Sequence, residues 1–357
     1  MKVVGWLLGA IVFNPLLWLG GVMPGINYLV RIRQERHQWR QAVDRDWYEG
    51  RHFIMAFGGM ALIGIGGTIL MRVTVSWELV AVYGFLAGIV ALTNWWHNLT
   101  PLLILVPVGL TLITKDGGAL HATLVFTVFI CITRLILSLF GGQKVSPRMV
   151  MNRRHHVFAR YEWRETTILP VFVMVGTRQG PIPIIIFFPV GIHRVIQEKT
   201  TAPVVRHLQM VTGIQCGLAL LGSFTGYSAL RAGLGVALVM VSCYDIGNQW
   251  WRIHHHSPVV TAATDGIRVV AVRPATPAAR MGLRPGDVVV ACNDAPVHNH
   301  RELYAALQRS AAYCRLRVRT VTGDMKLVES SLYAGVPHEV GIVTFPAAVY
   351  SRVGELK

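Results

Sequence analysis

Hydrophobic residues gather in long, nearly uninterrupted blocks over the first 256 positions of this chain, then give way to short alternating runs. Val3 to Val30, Phe53 to Val75, Leu79 to Thr93, Leu99 to Thr114, Leu120 to Phe140, Leu208 to Leu230 and Leu234 to Ile246 are such blocks, separated by polar or basic stretches. A bilayer crossing takes about 20 residues of helix, so the pattern predicts about seven spans. Ile168 to Ile192 is also apolar, but Thr177-Arg178-Gln179-Gly180-Pro181 and then Pro183 interrupt it. Neither half spans a bilayer alone, and the stretch reads as a broken helix or a re-entrant hairpin, with the hairpin preferred. Glycine pairs at 84/88, 213/217 and 222/226 have GxxxG spacing, which predicts close helix approach within the bundle.

Beyond residue 256 the period changes. Gly266 to Arg273 reads as a strand, with Ile267, Val269 and Ala271 apolar at alternate positions. Pro277-Ala278-Ala279 opens a short helix, where the missing proline N–H costs nothing. Gly282 ends that helix in a left-handed conformation. Pro285-Gly286-Asp287 is a tight turn, and Val288 to Cys292 is a second buried strand. Asn293-Asp294 turns the chain again, and the helix that follows sets Leu303 and Leu307 on one face.

These parts, carried by Thr276-Pro277-Ala278, Met281-Gly282-Leu283 and Pro285-Gly286-Asp287, with Val288, Val290 and Leu303, resemble a bacterial PDZ domain over residues 257–345. The resemblance implies capture of an extended peptide by strand addition between a strand and a helix. The strand would be Ile267, Arg268, Val269, Val270, Ala271 and Val272; the helix would supply Arg301, Leu303, Tyr304 and Leu307. Many PDZ domains hold a terminal carboxylate in a hydrophobic-Gly-hydrophobic loop ahead of the groove strand. Thr261-Ala262-Ala263-Thr264-Asp265 stands there in this chain. Asp265 would repel a carboxylate, so an internal segment is as good a ligand as a free C-terminus.

Composition agrees with a membrane chain: 53% of the 357 residues are hydrophobic and 15% charged, against about a quarter charged in soluble domains. The expected fold class is an α-helical polytopic membrane bundle over residues 1–256 with a small C-terminal α+β PDZ-like domain, and residues 346–357 as a tail. Net charge is +16, but 22 of the 34 Lys and Arg residues precede residue 257, most of them in loops 31–51 and 141–165. Loop 31–51 carries six arginines against four acids. This is a topology signal rather than a nucleic-acid surface. Both loops are expected in the cytoplasm, with the N-terminus outside and the first block kept as an uncleaved span. Seven spans plus a hairpin then put the PDZ-like domain in the cytoplasm. Arg134 should snorkel to the interface, and Asn94-Trp95-Trp96-His97-Asn98 should sit at headgroup level. The five cysteines have no CxxC spacing and read as buried reduced thiols.

Chemistry is absent from the pattern. Zinc proteolysis needs HExxH, and His338-Glu339 is followed by no second histidine at that spacing. A Ser-His-Asp protease needs a separate soluble domain for which the chain has no room, and there is no GxxxxGK[ST] loop for nucleotide. His254-His255-His256 cannot all face one metal from a helix. No enzyme activity, cofactor, metal or small-molecule substrate is expected. Two other readings remain open: an adaptor for a membrane protease or envelope-stress pathway, and a transporter-like protein with a regulatory PDZ domain, since broken helices can line substrate sites.

Asn14-Pro15-Leu16-Leu17-Trp18-Leu19, Arg31-Ile32-Arg33-Gln34-Glu35-Arg36, Trp47-Tyr48, and Val145-Ser146-Pro147-Arg148 with Asn152-Arg153-Arg154 resemble the MinJ-type multi-pass membrane PDZ proteins of Firmicute cell division. With the PDZ-like end, the resemblance spans nearly the whole chain. It implies a non-enzymatic scaffold in the cell membrane at septa and poles. Such a scaffold links a DivIVA-like coiled coil to a MinD-like ATPase and the divisome, and so keeps division away from the poles.

Overall fold

A computed structural model of the chain describes residues 29–39, 73–93, 99–141, 145–151, 157–177, 180–196, 202–255, 260–263, 265–309, 313–331, 340–346 and 349. Most of the expected Val3–Val30 and Phe53–Val75 spans, and the Asn94–Asn98 belt, lie outside these residues. Residues 29–39 are helical (α1). There follow β1 (Thr74–Val75), α2 (Trp77–Thr93), α3 (Leu102–Thr114) and α4 (Gly117–Gly141). Next come β2 (Val145–Met151), β3 (Val157–Thr177) and β4 (Gly180–Ile196), then α5 (Ala202–Phe224) and α6 (Ser228–His255). The C-terminal unit is β5 (Val260–Thr261), β6 (Ile267–Val272), α7 (Pro277–Arg280), β7 (Val288–Cys292), β8 (Ala295–Pro296), α8 (His300–Gln308), β9 (Tyr313–Arg319), β10 (Met325–Ser331) and β11 (Ile342–Thr344).

Among the described residues, three stretches are long and apolar enough to cross a membrane: Gly117–Leu139, Pro203–Phe224 and Ser228–Arg252. The helices at 77–93 and 102–114 are apolar but shorter. α4 is the buried centre, whereas α5 and α6 expose Met210, Leu221, Phe224, Met240 and Tyr244, a face suited to lipid. The turn between α5 and α6 is held by Arg231, whose guanidinium donates to the carbonyls of Gly222, Thr225 and Gly117. Of the GxxxG glycines, Gly222 packs on α4, where an added Cβ would lie 2.8 Å from Leu124. Gly84, Gly88, Gly213 and Gly217 have no such neighbour within 4 Å among the described residues.

The first 256 residues are not a purely helical bundle. Ile168 to Ile192, expected as a re-entrant or broken helix, is the far end of a β3–β4 hairpin paired from Tyr161↔Ile196 to Thr177↔Gly180. The expected loop 141–165 is largely β2 and the start of β3, paired Val145↔Trp163 to Met151↔Val157. Val73 to Val75 is not helix either, since β1 pairs in parallel with β3 at Met174 and Val175. The reason is local. Ile184-Ile185-Ile186-Phe187-Phe188 is β-branched and aromatic, and prolines at 170, 181, 183 and 189 would each remove a helix hydrogen bond. β4 tolerates its prolines as an edge strand of the described sheet. The hairpin is nonetheless buried: Leu169, Val171, Val173, Phe188 and Val190 share one core with Tyr83 of α2 and Phe126 of α4. The rings of Tyr83, Phe126 and Phe188 lie 5.0–5.6 Å apart.

Arg134 does not snorkel. It is fully buried, with Nη2 3.1 Å from Asp245 Oδ2 and Nη1 donating to Gln215 Oε1 at 3.3 Å. Arg194 of β4 takes the other oxygen of Asp245, and Gln215 donates to Ser242, which donates to the Leu238 carbonyl. One carboxylate thus ties α4 and the hairpin to α6, the helix that leads into the C-terminal unit. A buried charge is tolerated only when it is paired in this way.

Candidate peptide-binding site

The C-terminal unit folds around a sheet of order β10-β9-β7-β6-β11, with β8 paired to β7. Its core joins Ile267, Val269, Leu283, Val289, Leu303, Leu307, Leu316 and Ile342. The turns follow from the residues that make them. Pro277 begins α7, Gly282 has φ +68° and Gly286 φ +98°. The Asp287 carboxylate accepts from the Arg284 N–H at 2.9 Å and closes the Pro285-Gly286 turn. Asn293 and Asp294 both take positive φ between β7 and β8, as a tight hairpin turn requires. α8 is capped reciprocally: Asn299 accepts from the Glu302 N–H, and the Glu302 carboxylate accepts from the His298 N–H.

Sheet order closes β6 to an added strand. The strand expected to receive a peptide, Ile267 to Val272, has neighbours on both edges. Ile267 and Arg268 pair with β7, and Val269, Ala271 and Val272 pair with β11. The Val269 N–H donates to the Asp287 carbonyl. No added strand can therefore pair with β6. The edge beyond it is β11, which pairs only with β6 among the described residues. The residues ahead of β11 are Val340-Gly341-Ile342, a hydrophobic-Gly-hydrophobic loop in which Gly341 has φ +88°. Its carbonyls are anchored: Val340 accepts from Ala278 N and Gly341 from Arg273 N, both at 2.9 Å. Gly341 admits no side chain, since a Cβ there would lie 2.2 Å from Thr276 Oγ1.

Asp265, expected to oppose a bound carboxylate, stands elsewhere. It pairs with Arg319 at 2.6 Å, and that hydrogen bond holds its carboxyl below the usual carboxylate range. On α8, Leu303 and Leu307 point into the core that also holds Val340 and Ile342, whereas Arg301 and Tyr304 are exposed. The helix and β11 thus border one apolar core.

The other face of this sheet rests on strands β3 and β5. β5 pairs with β3 (Phe158↔Thr261, Ala159↔Val260), and the Tyr161 hydroxyl donates to the Val270 carbonyl at 2.6 Å. Burial pushes the Tyr161 phenol up, so it remains a donor. Trp39, Ala159, Val260, Val270, Val343, Phe345 and Val349 form a second apolar cluster at this junction. α1 is fastened beside it. Ser146 donates to Glu35, the Met149 N–H to Gln38, and Trp39 Nε1 to the Pro147 carbonyl. The described part of loop 31–51, residues 31–39, thus supplies structure besides the topology signal read from sequence.

Residues 232–326 match the family model described as "PDZ domain", a range that stops short of β11. The chain is 46% identical over 107 residues to a "Probable cell division topological determinant MinJ" of Lacticaseibacillus paracasei. That match covers 30% of this chain and 29% of the relative. It is 33% identical over 78 residues to the "Cell division topological determinant MinJ" of Bacillus subtilis, covering 22% and 20% of the two chains. A 72-residue match, 35% identical, links it to a "Putative serine protease HhoA" of Synechocystis, covering 20% of this chain and 18% of that one. The matches span less than a third of each relative. Over these stretches the chain is similar to MinJ proteins, and it carries a match to the PDZ family model.

Proposed function

We propose that this chain is a non-enzymatic membrane scaffold for division-site placement, and that its working surface is the β11 edge facing α8. The observation that carries this reading is a sheet edge left unpaired among the described residues and preceded by a Val-Gly-Ile loop, in a chain that carries a PDZ match and is similar over 107 residues to a division topological determinant. An extended segment added to β11 gains main-chain hydrogen bonds, and its alternate side chains enter the apolar floor beneath α8. A free C-terminus fits as well as an internal segment, because Asp265 is engaged by Arg319. The membrane domain of residues 1–256 holds this groove at the cytoplasmic face, at septa and poles. The partners are a DivIVA-like coiled coil, a MinD-like ATPase and other division proteins. Val269→Pro would instead break the domain core, because the Val269 N–H donates to the Asp287 carbonyl inside the sheet.

The test replaces Arg301 and Tyr304 by glutamate in the native cell, with a fluorescent protein fused after residue 357. Both side chains are exposed, so the PDZ core survives. Off-centre septa with the fusion still at the membrane are expected. Normal septum placement at normal abundance would overturn the groove's role. The protease-adaptor reading rests on the similarity to the HhoA protein; it predicts normal septa and altered turnover of envelope proteins.

A further inference from the structure

A strand paired with β11 sets its side chains alternately on the two faces of the sheet. On one face, Ile342 joins Leu303 and Leu307 in the PDZ core. On the other, Val343 and Phe345 lie with Trp39 and Ala159 in the junction cluster. We propose that α1 is the second wall of the groove, so that a ligand strand is read from both sides, with apolar residues toward α8 and acidic residues toward α1. The inference rests on β11 being the binding edge, and it adds the class of partner: an extended acidic-apolar segment.

Three features carry it. α1 is fixed rather than loose, because its Glu35, Gln38 and Trp39 side chains each bond to β2, at Ser146, Met149 and Pro147. A wall held in place before the ligand arrives costs little ordering when it binds. The Trp39 and Phe345 rings meet edge to face with centroids 5.6 Å apart, which brings the C-terminal end of described α1 to the end of β11. The surface α1 offers is basic: Arg33 and His37 are exposed, while Glu35, the one acid of the described helix, is buried against Ser146 and paired with Arg31.

The test pans the full chain, in detergent micelles, against random peptides displayed with free C-termini. Trp39→Ala and the double variant Arg33→Glu/His37→Glu are panned in parallel. The wild-type chain should enrich peptides with apolar and acidic residues at alternating positions. The double variant changes only exposed side chains; it should keep the apolar preference and lose the acidic one, weakening a wild-type-selected peptide roughly fivefold. Trp39→Ala loosens β11 as well as α1 and should weaken the same peptide roughly tenfold, so the exposed double variant decides the second wall. One shared consensus for the wild-type chain and the double variant, with affinities within roughly twofold, would overturn the second wall and leave β11 as the binding edge. No enrichment by the wild-type chain would overturn both.

Discussion

Trp39 and Phe345 pack edge to face, joining a helix near the start of the chain to the residue that follows β11, the last described strand of the PDZ unit. Trp39 also donates to the Pro147 carbonyl, so one side chain bridges α1, β2 and β11. Trp39→Ala should cost about 3–5 kcal/mol of junction packing, the range for a buried aromatic cut to alanine. The loss should appear as faster amide exchange in β5 and β11, with the interior strands β7 and β9 unchanged. Uniform protection across all four strands would mean that the junction does not depend on this contact.

Asp245 pairs with two buried arginines, Arg134 and Arg194, one on each carboxylate oxygen. Asp245→Asn keeps the shape of the side chain but leaves both guanidinium groups without a counter-charge. Removing one partner from a buried pair costs about 3–5 kcal/mol. Thermal unfolding in detergent should therefore shift down clearly for Asp245→Asn. Ser242→Ala, at the margin of the network, should cost about 1 kcal/mol, the worth of one hydrogen bond. Equal melting of Asp245→Asn and the wild-type chain would show that water reaches the cluster.

Gly341 and Thr276 exclude each other's bulk. A Cβ on Gly341 would meet Thr276 Oγ1, Cβ and Cγ2 at 2.2–2.6 Å, and φ is +88°. Gly341→Ala should thus displace the turn ahead of β11, at about 1–3 kcal/mol for a residue forced into this backbone region. Thr276→Gly removes the three clashing atoms but not the strained φ. In a double-mutant cycle the pair should recover part of the loss, read as urea midpoints of the full chain in micelles. Strict additivity would place the cost in φ alone.

Much of the PDZ unit is legible in the sequence, because its turns depend on residues with little choice: Pro277, Gly282, Gly286 and the Asn293-Asp294 pair each sit where the backbone demands them. Its groove is not legible by the same route. Chain order puts Ile267 to Val272 first, while sheet order makes it interior, and the edge is completed by residues far along the chain. Val340-Gly341-Ile342 carried the signal, at the opposite end of the domain from Thr261 to Asp265. The β3–β4 hairpin was hidden for another reason. A strand buried on both faces is apolar throughout, and periodicity cannot separate it from a membrane helix. Four prolines and a β-branched run were the available clue. Arg134, Arg194 and Asp245 are isolated charges in sequence, and only the fold brings them together.

The side on which the groove lies follows from α6. This helix begins at Ser228, beside the turn that Arg231 fastens to Gly117, and leads through its apolar stretch toward β5 and the PDZ unit. If α6 crosses the bilayer, Tyr227 and the Thr322 hairpin turn are on opposite sides, while Asp116 lies with Tyr227. Cysteines placed singly at 116, 227 and 322, after replacement of the exposed Cys243, should therefore report two compartments. An impermeant maleimide added to intact cells should label positions 116 and 227, and reach position 322 only after permeabilisation. That outcome agrees with the excess of arginine in 31–51, which marks the cytoplasmic side. Labelling of 322 in intact cells, with 116 and 227 protected, would invert the chain. The β11 edge would then face away from any cytoplasmic partner, and the protease-adaptor reading would gain what the division scaffold lost.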